Sequence, residues 1–302
     1  MAFSTLRDGT KIPRVGLGTW ESPTGAVAEA IKQAFDIGYR HFDLAWAIFD
    51  SKKAKREDLW ITSKLWNSEH IPSRVIPALR ETLAELGLSY LDLYLIHWPV
   101  SFAPNQGWFP KGPDGKILLD PKPPALIETW REMEKAVEIG LVKHIGVSNV
   151  NCALLNDLYS AATKKPEVLQ VELHPYLQQG PLIEFARKLG VHVTGYSPLI
   201  RLGSVDAVDK KGRSLNITID PVIVKIAQKH KKTPAQIALR WNIQRAPNVS
   251  IIPKSTKIER LRENFQILDF ELDDNDLKEI SALDRKYRVC YNLDLIGVPV
   301  FD

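Results

Sequence analysis

HFDLA (41–45), WITSKL (60–65) and YLDLYLIHW (90–98) are three short β-like runs that follow one another in the first third of the chain. A polar residue stands at or near the end of each run: Asp43, Lys64 and His97. In barrels of alternating strands and helices, residues at the carboxyl ends of successive strands form the active site. The three runs therefore predict both a strand order and a candidate catalytic trio.

Five further β-like runs extend this pattern along the chain: VGLGTW (15–20), VKHIGVSN (142–149), VLQVELH (168–174), VHVTGYS (191–197) and VSIIPKS (249–255). Amphipathic helical patterns lie between most of the runs, at 26–38, 73–87, 125–140, 181–190 and 234–244. Alternation of strands and helices indicates a parallel sheet. Eight strands predict an α/β fold, a (β/α)8 TIM barrel, with an open doubly wound sheet as the alternative.

The regions outside this repeat predict a single domain, 1–302. Asp8-Gly9 between two short extended pieces is typical of a β-hairpin, which we expect to cover the barrel floor. No linker or internal repeat divides the chain. The Pro- and Gly-rich stretch 99–124 follows His97 and predicts a long loop at the active-site face. It either supplies an apolar wall for a substrate or packs on itself.

The composition is that of a soluble globular protein. Lys and Arg number 40 against 36 Asp and Glu, and they are dispersed, which argues against a nucleic-acid partner. Cys152 and Cys290 are far apart, so neither a disulfide framework nor a metal site is predicted. The chain has no secretory signal and no apolar run of roughly 18 residues. We expect a cytoplasmic monomer that does not bind membranes.

The trio alone does not establish catalysis. Lys64 follows an apolar strand, so its ammonium needs a counter-charge such as Asp43, and a buried structural ion pair would explain both residues equally well. His97 alone is also compatible with a histidine of the core.

Additional motifs occur in order and make the pattern specific: Gly16-Leu17-Gly18-Thr19-Trp20, Ser148-Asn149, Gln170, Tyr196-Ser197 and IIPKSTKIERLRENF. With these motifs the chain resembles the aldo-keto reductase superfamily, and within it the aldose-reductase-like group, over nearly its whole length. The resemblance implies a (β/α)8 barrel that binds NADPH without a Rossmann domain and reduces aldehydes or ketones. The absence of G-x-G-x-x-G and of a phosphate-binding P-loop agrees with that implication.

The resemblance also implies roles for individual residues. Ser148, Asn149 and Gln170 would bind the nicotinamide carboxamide, Tyr196 would stack on the nicotinamide ring, and Ser197 and Leu199 would contact the pyrophosphate. Lys254 and Arg260 would bind the 2′-phosphate, and Glu263 and Asn264 the adenine. The remaining implied cofactor-binding residues are Gly18, Thr19, Trp20, Ser255 and Thr256, and the implied substrate-lining residues are Trp20, Trp98 and Trp108.

One element of the family pattern is missing. The family has a tyrosine acid in D-x-A-x-x-Y; here the motif begins at Asp43 and the tyrosine position is Ile48, with no tyrosine between Tyr39 and Tyr90. Only 14 residues, 46–59, separate the second and third runs, against 22 and 23 in the neighbouring connections. About a dozen residues are gone near Trp46-Ala47, so we expect a truncated or displaced second helix. The gap is either a deletion in the protein or a segment omitted from the sequence.

These observations lead to alternative functional predictions. The first is NADPH-dependent reduction of an aldehyde, aldose or ketone, impaired because the acid is missing, with His97 as a weaker proton donor. The second is an NADPH-binding barrel without turnover, in a regulatory or structural role. The third is a barrel enzyme that acts on a phosphorylated sugar, with Lys254 and Arg260 holding the substrate. The physiological substrate is not predicted.

Overall fold

A two-stranded hairpin and an eight-stranded parallel sheet contain all the named strands of the computed structural model. The structure describes residues 2–20, 24–43, 54–200, 208–209, 211–290 and 298–301. The hairpin pairs β1 (Phe3–Thr5) with β2 (Lys11–Pro13). The sheet strands follow one another in chain order: β3 (Leu17–Gly18), β4 (His41–Asp43), β5 (Trp60–Leu65), β6 (Leu91–Ile96), β7 (Val142–Ser148), β8 (Val168–Glu172), β9 (His192–Tyr196) and β10 (Val249–Ile251).

The sheet closes on itself between its last and first strands. Parallel bridges join Val15 to Ile251 and Gly18 to Lys254. The Gly16 N–H donates to the Ile251 carbonyl at 2.8 Å, and the Ile251 N–H donates to the Arg14 carbonyl at 2.9 Å. The predicted (β/α)8 barrel is therefore confirmed, and the open doubly wound alternative is excluded.

Helices cover the outside of the barrel, as the periodic segments predict. Their bounds are α1 (Thr24–Ile37), α2 (Pro72–Leu86), α3 (Leu126–Glu138), α4 (Cys152–Ala161), α5 (Gly180–Lys188), α6 (Pro221–His230), α7 (Pro234–Gln244), α8 (Ile258–Phe265) and α9 (Asp274–Ser281). In α3, Trp130, Met133 and Ala136 are fully buried because apolar side chains three residues apart share one face of a helix. Within the described ranges, no helix is long and apolar enough to cross a membrane.

The N-terminal hairpin covers the floor of the barrel, as predicted. Ile12 of β2 is fully buried and packs in one cluster with Trp60, Leu95 and Val168 from the barrel strands. The Ser4 hydroxyl donates to the Pro247 carbonyl at 2.8 Å. Closure of the floor leaves the opposite, carboxyl-terminal end of the strands as the open mouth.

The second connection can be described only where it returns to the sheet. Residues 44–53, which contain Ile48 and the Trp46-Ala47 junction, lie outside the described residues, so the expected truncation of the second helix is not described. The return contains a short 3₁₀ turn, Arg56–Asp58. Arg56 Nη1 lies 2.7 Å from Asp92 Oδ2, and the guanidinium lies 4.0 Å from the Tyr90 ring centroid. These contacts fix the start of β5 to the base of β6.

Candidate active site

Asp43 is held through its carboxylate by two residues of other strands and through its backbone carbonyl by Thr19. Lys64 Nζ donates to Asp43 Oδ1, and Gln170 Nε2 donates to Asp43 Oδ2 at 2.7 Å. The Thr19 N–H and hydroxyl donate to the Asp43 carbonyl at 3.2 and 3.0 Å. The side chains of Asp43 and Lys64 are only 7% and 13% exposed. Asp43 and Lys64 thus form the ion pair that the sequence predicts, and Gln170 from the far half of the barrel joins it.

His97 lies at the mouth directly after β6. Its N–H donates to the Leu65 carbonyl at 3.1 Å, and its own carbonyl accepts from Asn149 Nδ2 at 2.9 Å. Desolvation by the surrounding side chains, reinforced by the charges of Lys64 and His70, lowers the pKa of the imidazole well below its ordinary 6.5. His97 is therefore neutral near pH 7. Whether a neutral His97 also serves as the weaker proton donor stays a prediction.

An aromatic cluster borders His97. The Trp66 ring lies 5.0 Å from the His97 ring, stacks on Trp20 at 5.7 Å, and contacts Trp108 at 5.4 Å and Phe109 at 5.2 Å between centroids. Trp20 and Trp108 are 39% and 42% exposed, so the cluster faces the solvent at the mouth. Trp66 was not among the residues predicted from the sequence. Its position two residues after Lys64 was an available signal, because side chains at i and i+2 share one face of a strand.

Trp98 does not join this cluster. It is 7% exposed and packs with Phe102 and Phe301, the latter at 6.3 Å between ring centroids, in a group that borders Trp66. The structure thus brings together Trp20 and Trp108 of the three tryptophans expected to line a substrate pocket. Trp98 lies behind the mouth and supports the described end of the chain.

The ends of β7, β8 and β9 bring together the residues expected to bind a carboxamide. The Ser148 hydroxyl donates to the Gln170 carbonyl at 2.8 Å. Asn149 has a φ of 60°, a left-handed conformation that asparagine tolerates better than most residues. In that conformation it donates to the His97 carbonyl and accepts from the Tyr196 hydroxyl at 2.8 Å. Asn149 therefore connects His97 to Tyr196, a contact that the sequence did not indicate.

Ser197 and Leu199 begin the loop that follows β9. Ser197 has a φ of 49°, and its hydroxyl lies 3.2 Å from Cys290 Sγ. Leu199 is buried, with 8% exposure. The continuation of this loop, 201–207, lies outside the described residues.

The block expected to bind the adenosine end lies at the barrel seam. Lys254 bridges to Gly18, and α8 begins four residues later. The exposed members are Lys254, Thr256 and Arg260, and Ser255 is half-buried. Glu263 accepts a hydrogen bond from the Thr233 hydroxyl, and Asn264 is only 4% exposed. The two cations are thus accessible, whereas Glu263 and Asn264 pack against the protein.

A family profile and individual relatives from comparison with known proteins all indicate the same family. The profile of the aldo/keto reductase family matches residues 14–285. The Gallus gallus protein named aldo-keto reductase family 1 member A1 is 46% identical over 313 residues, covering 99% of this chain and 94% of that protein. The Homo sapiens protein of the same name is 42% identical over 298 residues, covering 94% and 89%.

Solved structures give the same result. The aldose reductase from Schistosoma japonicum superimposes with a TM-score of 0.87 at 38% identity, covering 99% of this chain and 97% of that one. The alignment with the Gallus gallus protein is at least 11 positions longer than this 302-residue chain, so that relative has residues that this chain lacks.

Proposed function

The chain belongs to the aldo/keto reductase family of oxidoreductases, and we propose that it reduces aldehydes or ketones to alcohols with NADPH as the electron donor. The observation that carries this proposal is the network at the strand ends, in which Asp43 binds both Lys64 and Gln170. An acidic residue, a cation and a glutamine proposed to bind a carboxamide therefore meet at one point of the mouth. His97 and the aromatic cluster lie beside this network.

The residues at the mouth fit a phosphorylated nicotinamide dinucleotide. Gln170 uses its Nε2 for Asp43, so its Oε1 is the atom with which it would accept from a carboxamide. The Tyr196 hydroxyl is held by Asn149, which fixes the plane of the ring against which a nicotinamide would stack. Lys254 and Arg260 are exposed cations near the seam, and a point charge and a planar fork of donors both suit a phosphate. Bound NADPH would supply the hydride.

The residues of this chain would stabilise the charge that develops on the carbonyl oxygen. Lys64 carries N–H donors beyond the one used by Asp43, and a neutral His97 donates a hydrogen bond through its ring N–H without delivering a proton. The position at which the family has a tyrosine acid is Ile48. General acids contribute about 10²- to 10⁴-fold, so we propose that turnover is slow.

The substrate class follows from the aromatic cluster. Trp20, Trp66 and Trp108 present ring faces and edges near His97, and Phe109 contacts Trp66. Such a surface favours an apolar or aromatic group attached to the carbonyl carbon over a heavily hydroxylated chain. We therefore propose aromatic and medium-chain aldehydes as the first substrates to test.

Cofactor choice is tested by fluorescence titration with NADPH and NADH. Arg260→Met is expected to weaken NADPH binding by about tenfold or more and to leave NADH binding unchanged, because NADH has no 2′-phosphate. Arg262→Met is the matched control: Arg262 lies on the same helix but borders a groove with Gln33, Asp36 and Ile37 of α1. Equal losses for both cofactors in Arg260→Met, or no NADPH binding by the unmodified protein, would refute the assignment.

A second candidate function is cofactor binding without turnover, which the substitution at position 48 favours. In that case NADPH binds as proposed but is not consumed by any aldehyde. A turnover assay on the same sample separates the two functions.

A further inference from the structure

The Glu172 carboxylate at the end of β8 is buried and binds the C-terminal part of the chain. Glu172 is 1% exposed. Its Oε1 accepts from the Val289 N–H at 2.7 Å, and its Oε2 accepts from the Cys290 N–H at 2.9 Å. His174 Nε2 lies 2.9 Å from the same Oε1 and donates the third hydrogen bond. Two residues before Glu172 on the same strand, Gln170 binds Asp43.

A buried carboxylate in this place destabilises the fold unless its oxygens accept hydrogen bonds. Transfer of a carboxylate out of water costs several kcal/mol, and hydrogen bonds must offset it. The barrel strands on both sides of β8 pair through their backbones and do not use this carboxylate. Two of its three donors belong instead to an irregular segment after α9. The geometry therefore indicates that Glu172 serves that segment.

The anchored segment contacts the cofactor side of the mouth. Cys290 Sγ lies 3.2 Å from the hydroxyl of Ser197, whose left-handed conformation begins the loop after β9. Because the Cys290 N–H is bound to Glu172, the carboxylate and Ser197 hold the same residue from two sides. A change at Glu172 is therefore transmitted to Ser197 through one residue.

The same segment also reaches Trp98, which lies behind the mouth next to His97, through the ring of Phe301. Arg288 Nη2 donates to Gln179 Oε1 at 3.0 Å, and the Arg288 guanidinium lies 3.5 Å from the centroid of the Phe301 ring. Phe301 packs on Trp98, the residue directly after His97. Anchoring at residues 288–290 thus fixes the position of the ring that supports Trp98.

We propose that Glu172 is a positioning residue that fixes the 288–290 segment between Ser197 and Trp98, and so sets the affinity for both the dinucleotide and the carbonyl substrate. This inference rests on the proposed function for its ligands. A carboxylate suits the role because both of its oxygens accept hydrogen bonds from the Val289 N–H, the Cys290 N–H and His174. The side-chain amide of glutamine would place its NH₂ group, which only donates, against at least one of these donors. Glu172→Gln keeps the size and shape of the side chain and removes this match.

Glu134→Gln provides the matched control. Glu134 is 8% exposed, and its Oε1 accepts from the Thr163 and Lys164 N–H groups, both at 2.8 Å. It is therefore also a buried carboxylate that binds two backbone amides, but it lies on α3, on the outside of the barrel. A purely structural effect of losing such a carboxylate is expected in both variants, and an effect on ligands only in Glu172→Gln.

Hydrogen exchange and ligand binding are measured on both variants after thermal unfolding confirms that each is folded. In Glu172→Gln, the amides of Val289 and Cys290 are expected to exchange at least about tenfold faster, and the NADPH Kd and the aldehyde KM to rise about 5- to 10-fold. The kcat is expected to change less than twofold, because Asp43, Lys64 and His97 are untouched. Glu134→Gln is expected to accelerate exchange only at Thr163 and Lys164 and to leave Kd and KM unchanged.

Arg288→Met keeps the test decisive if Glu172→Gln does not fold, because it removes the second anchor and leaves the Glu172 carboxylate with its three donors. It is expected to raise the aldehyde KM in the same direction. Unchanged Kd and KM in a folded Glu172→Gln, or equal effects in Glu134→Gln, would overturn the inference. Failure of the unmodified protein to bind NADPH would instead refute the proposed function, because the exchange result at Val289 and Cys290 does not depend on any ligand.

Discussion

The ammonium of Lys64 and the carboxylate of Asp43 are nearly withdrawn from water, so each depends on the other. Their side chains are 13% and 7% exposed. In such a pair, attraction compensates for desolvation only while both partners are present. The pair is thus needed for the stability of the mouth, and it also lies at the centre of the proposed chemistry.

Removal of one partner is expected to destabilise the protein. Lys64→Met leaves the Asp43 carboxylate buried without its cation and is expected to lower the free energy of unfolding by roughly 3 kcal/mol. Adding Asp43→Asn to Lys64→Met should restore part of that loss, because the unpaired charge is then gone. Urea unfolding of the single and double variants measures both effects.

An exposed ion pair is the control for this prediction. Lys225 Nζ lies 2.9 Å from both carboxylate oxygens of Glu279, with side chains 68% and 27% exposed. Lys225→Met is expected to cost less than about 1 kcal/mol, since exposed pairs contribute little. A loss as large as that of Lys64→Met would mean that burial is not the cause.

At the residue scale, the sequence predicted which side chains meet but not how they are used. Asp43 and Lys64 pair because adjacent parallel strands deliver them to one edge, and that follows from the pattern of the runs. The bridge made by Asn149 depends on a left-handed backbone conformation, which the sequence does not specify. The lowered pKa of His97 depends on its burial by surrounding elements and on the charges of Lys64 and His70.

At the element scale, closure of the barrel depends on close approach at one seam. A Cβ atom added to Gly18 would lie 2.7 Å from the Ile252 carbonyl oxygen. Glycine therefore allows β3 to lie against the segment that follows β10, where Lys254 is located. The seam joins the two ends of the sheet and also places Lys254 beside the mouth.

Gly18→Ala is expected to lower the free energy of unfolding by roughly 1–3 kcal/mol, because a backbone carbonyl cannot move aside as a side chain can. Gly25→Ala is the control: Gly25 lies in α1, and a Cβ there meets nothing within 4 Å. Alanine in a helix should stabilise by up to about 1 kcal/mol. If both variants have the same stability in urea, the seam is not sterically restricted.

Elements were predictable to different degrees. The eight runs predicted all eight barrel strands, because alternation of apolar stretches and helices reports a parallel sheet. Their ends were predicted less well: VGLGTW (15–20) gives a strand of only Leu17–Gly18, and Val15 makes only an isolated bridge to Ile251 at the seam. The expected shortening of the second helix falls on 44–53, outside the described residues.

At the scale of the whole molecule, several histidines are buried as neutral imidazoles. Burial lowers the pKa of His41 and of His97, and lowers the pKa of His70 to about 4 and of His192 to about 3. The unfolded chain binds protons at these positions below about pH 6.5, whereas the folded protein binds them only at lower pH. Folding stability is therefore complete above that pH and is lost as the pH falls through it.

Acidification from pH 7.5 to 5.5 is expected to lower the free energy of unfolding by up to about 1.4 kcal/mol for each of these histidines. Carboxylates titrate mainly below this window and contribute little to it. Urea unfolding at the two pH values measures the change. His192→Gln should reduce it by about a quarter. Equal stability at pH 7.5 and 5.5 would show that these imidazoles are accessible to protons.

The overall fold was the most predictable feature of the molecule. Eight strands that alternate with helices along the chain have few arrangements in which the apolar faces of both are buried. The function of this particular chain depends on a smaller feature. The barrel contains the ion pair, the imidazole and the exposed cations, whereas Ile48 stands five residues after Asp43, where we predict the family acid to be missing. We therefore expect NADPH binding to be retained and the chemical step to be slow.

The most direct test is a single-turnover measurement on protein whose intact mass is verified as 34.1 kDa. The NADPH complex is mixed with excess aromatic aldehyde, and the loss of NADPH absorbance is followed. The account predicts saturable NADPH binding and oxidation at least about 10²-fold slower than the ~10 s⁻¹ typical of enzymes. Absence of binding, or oxidation at an ordinary enzyme rate, would contradict it.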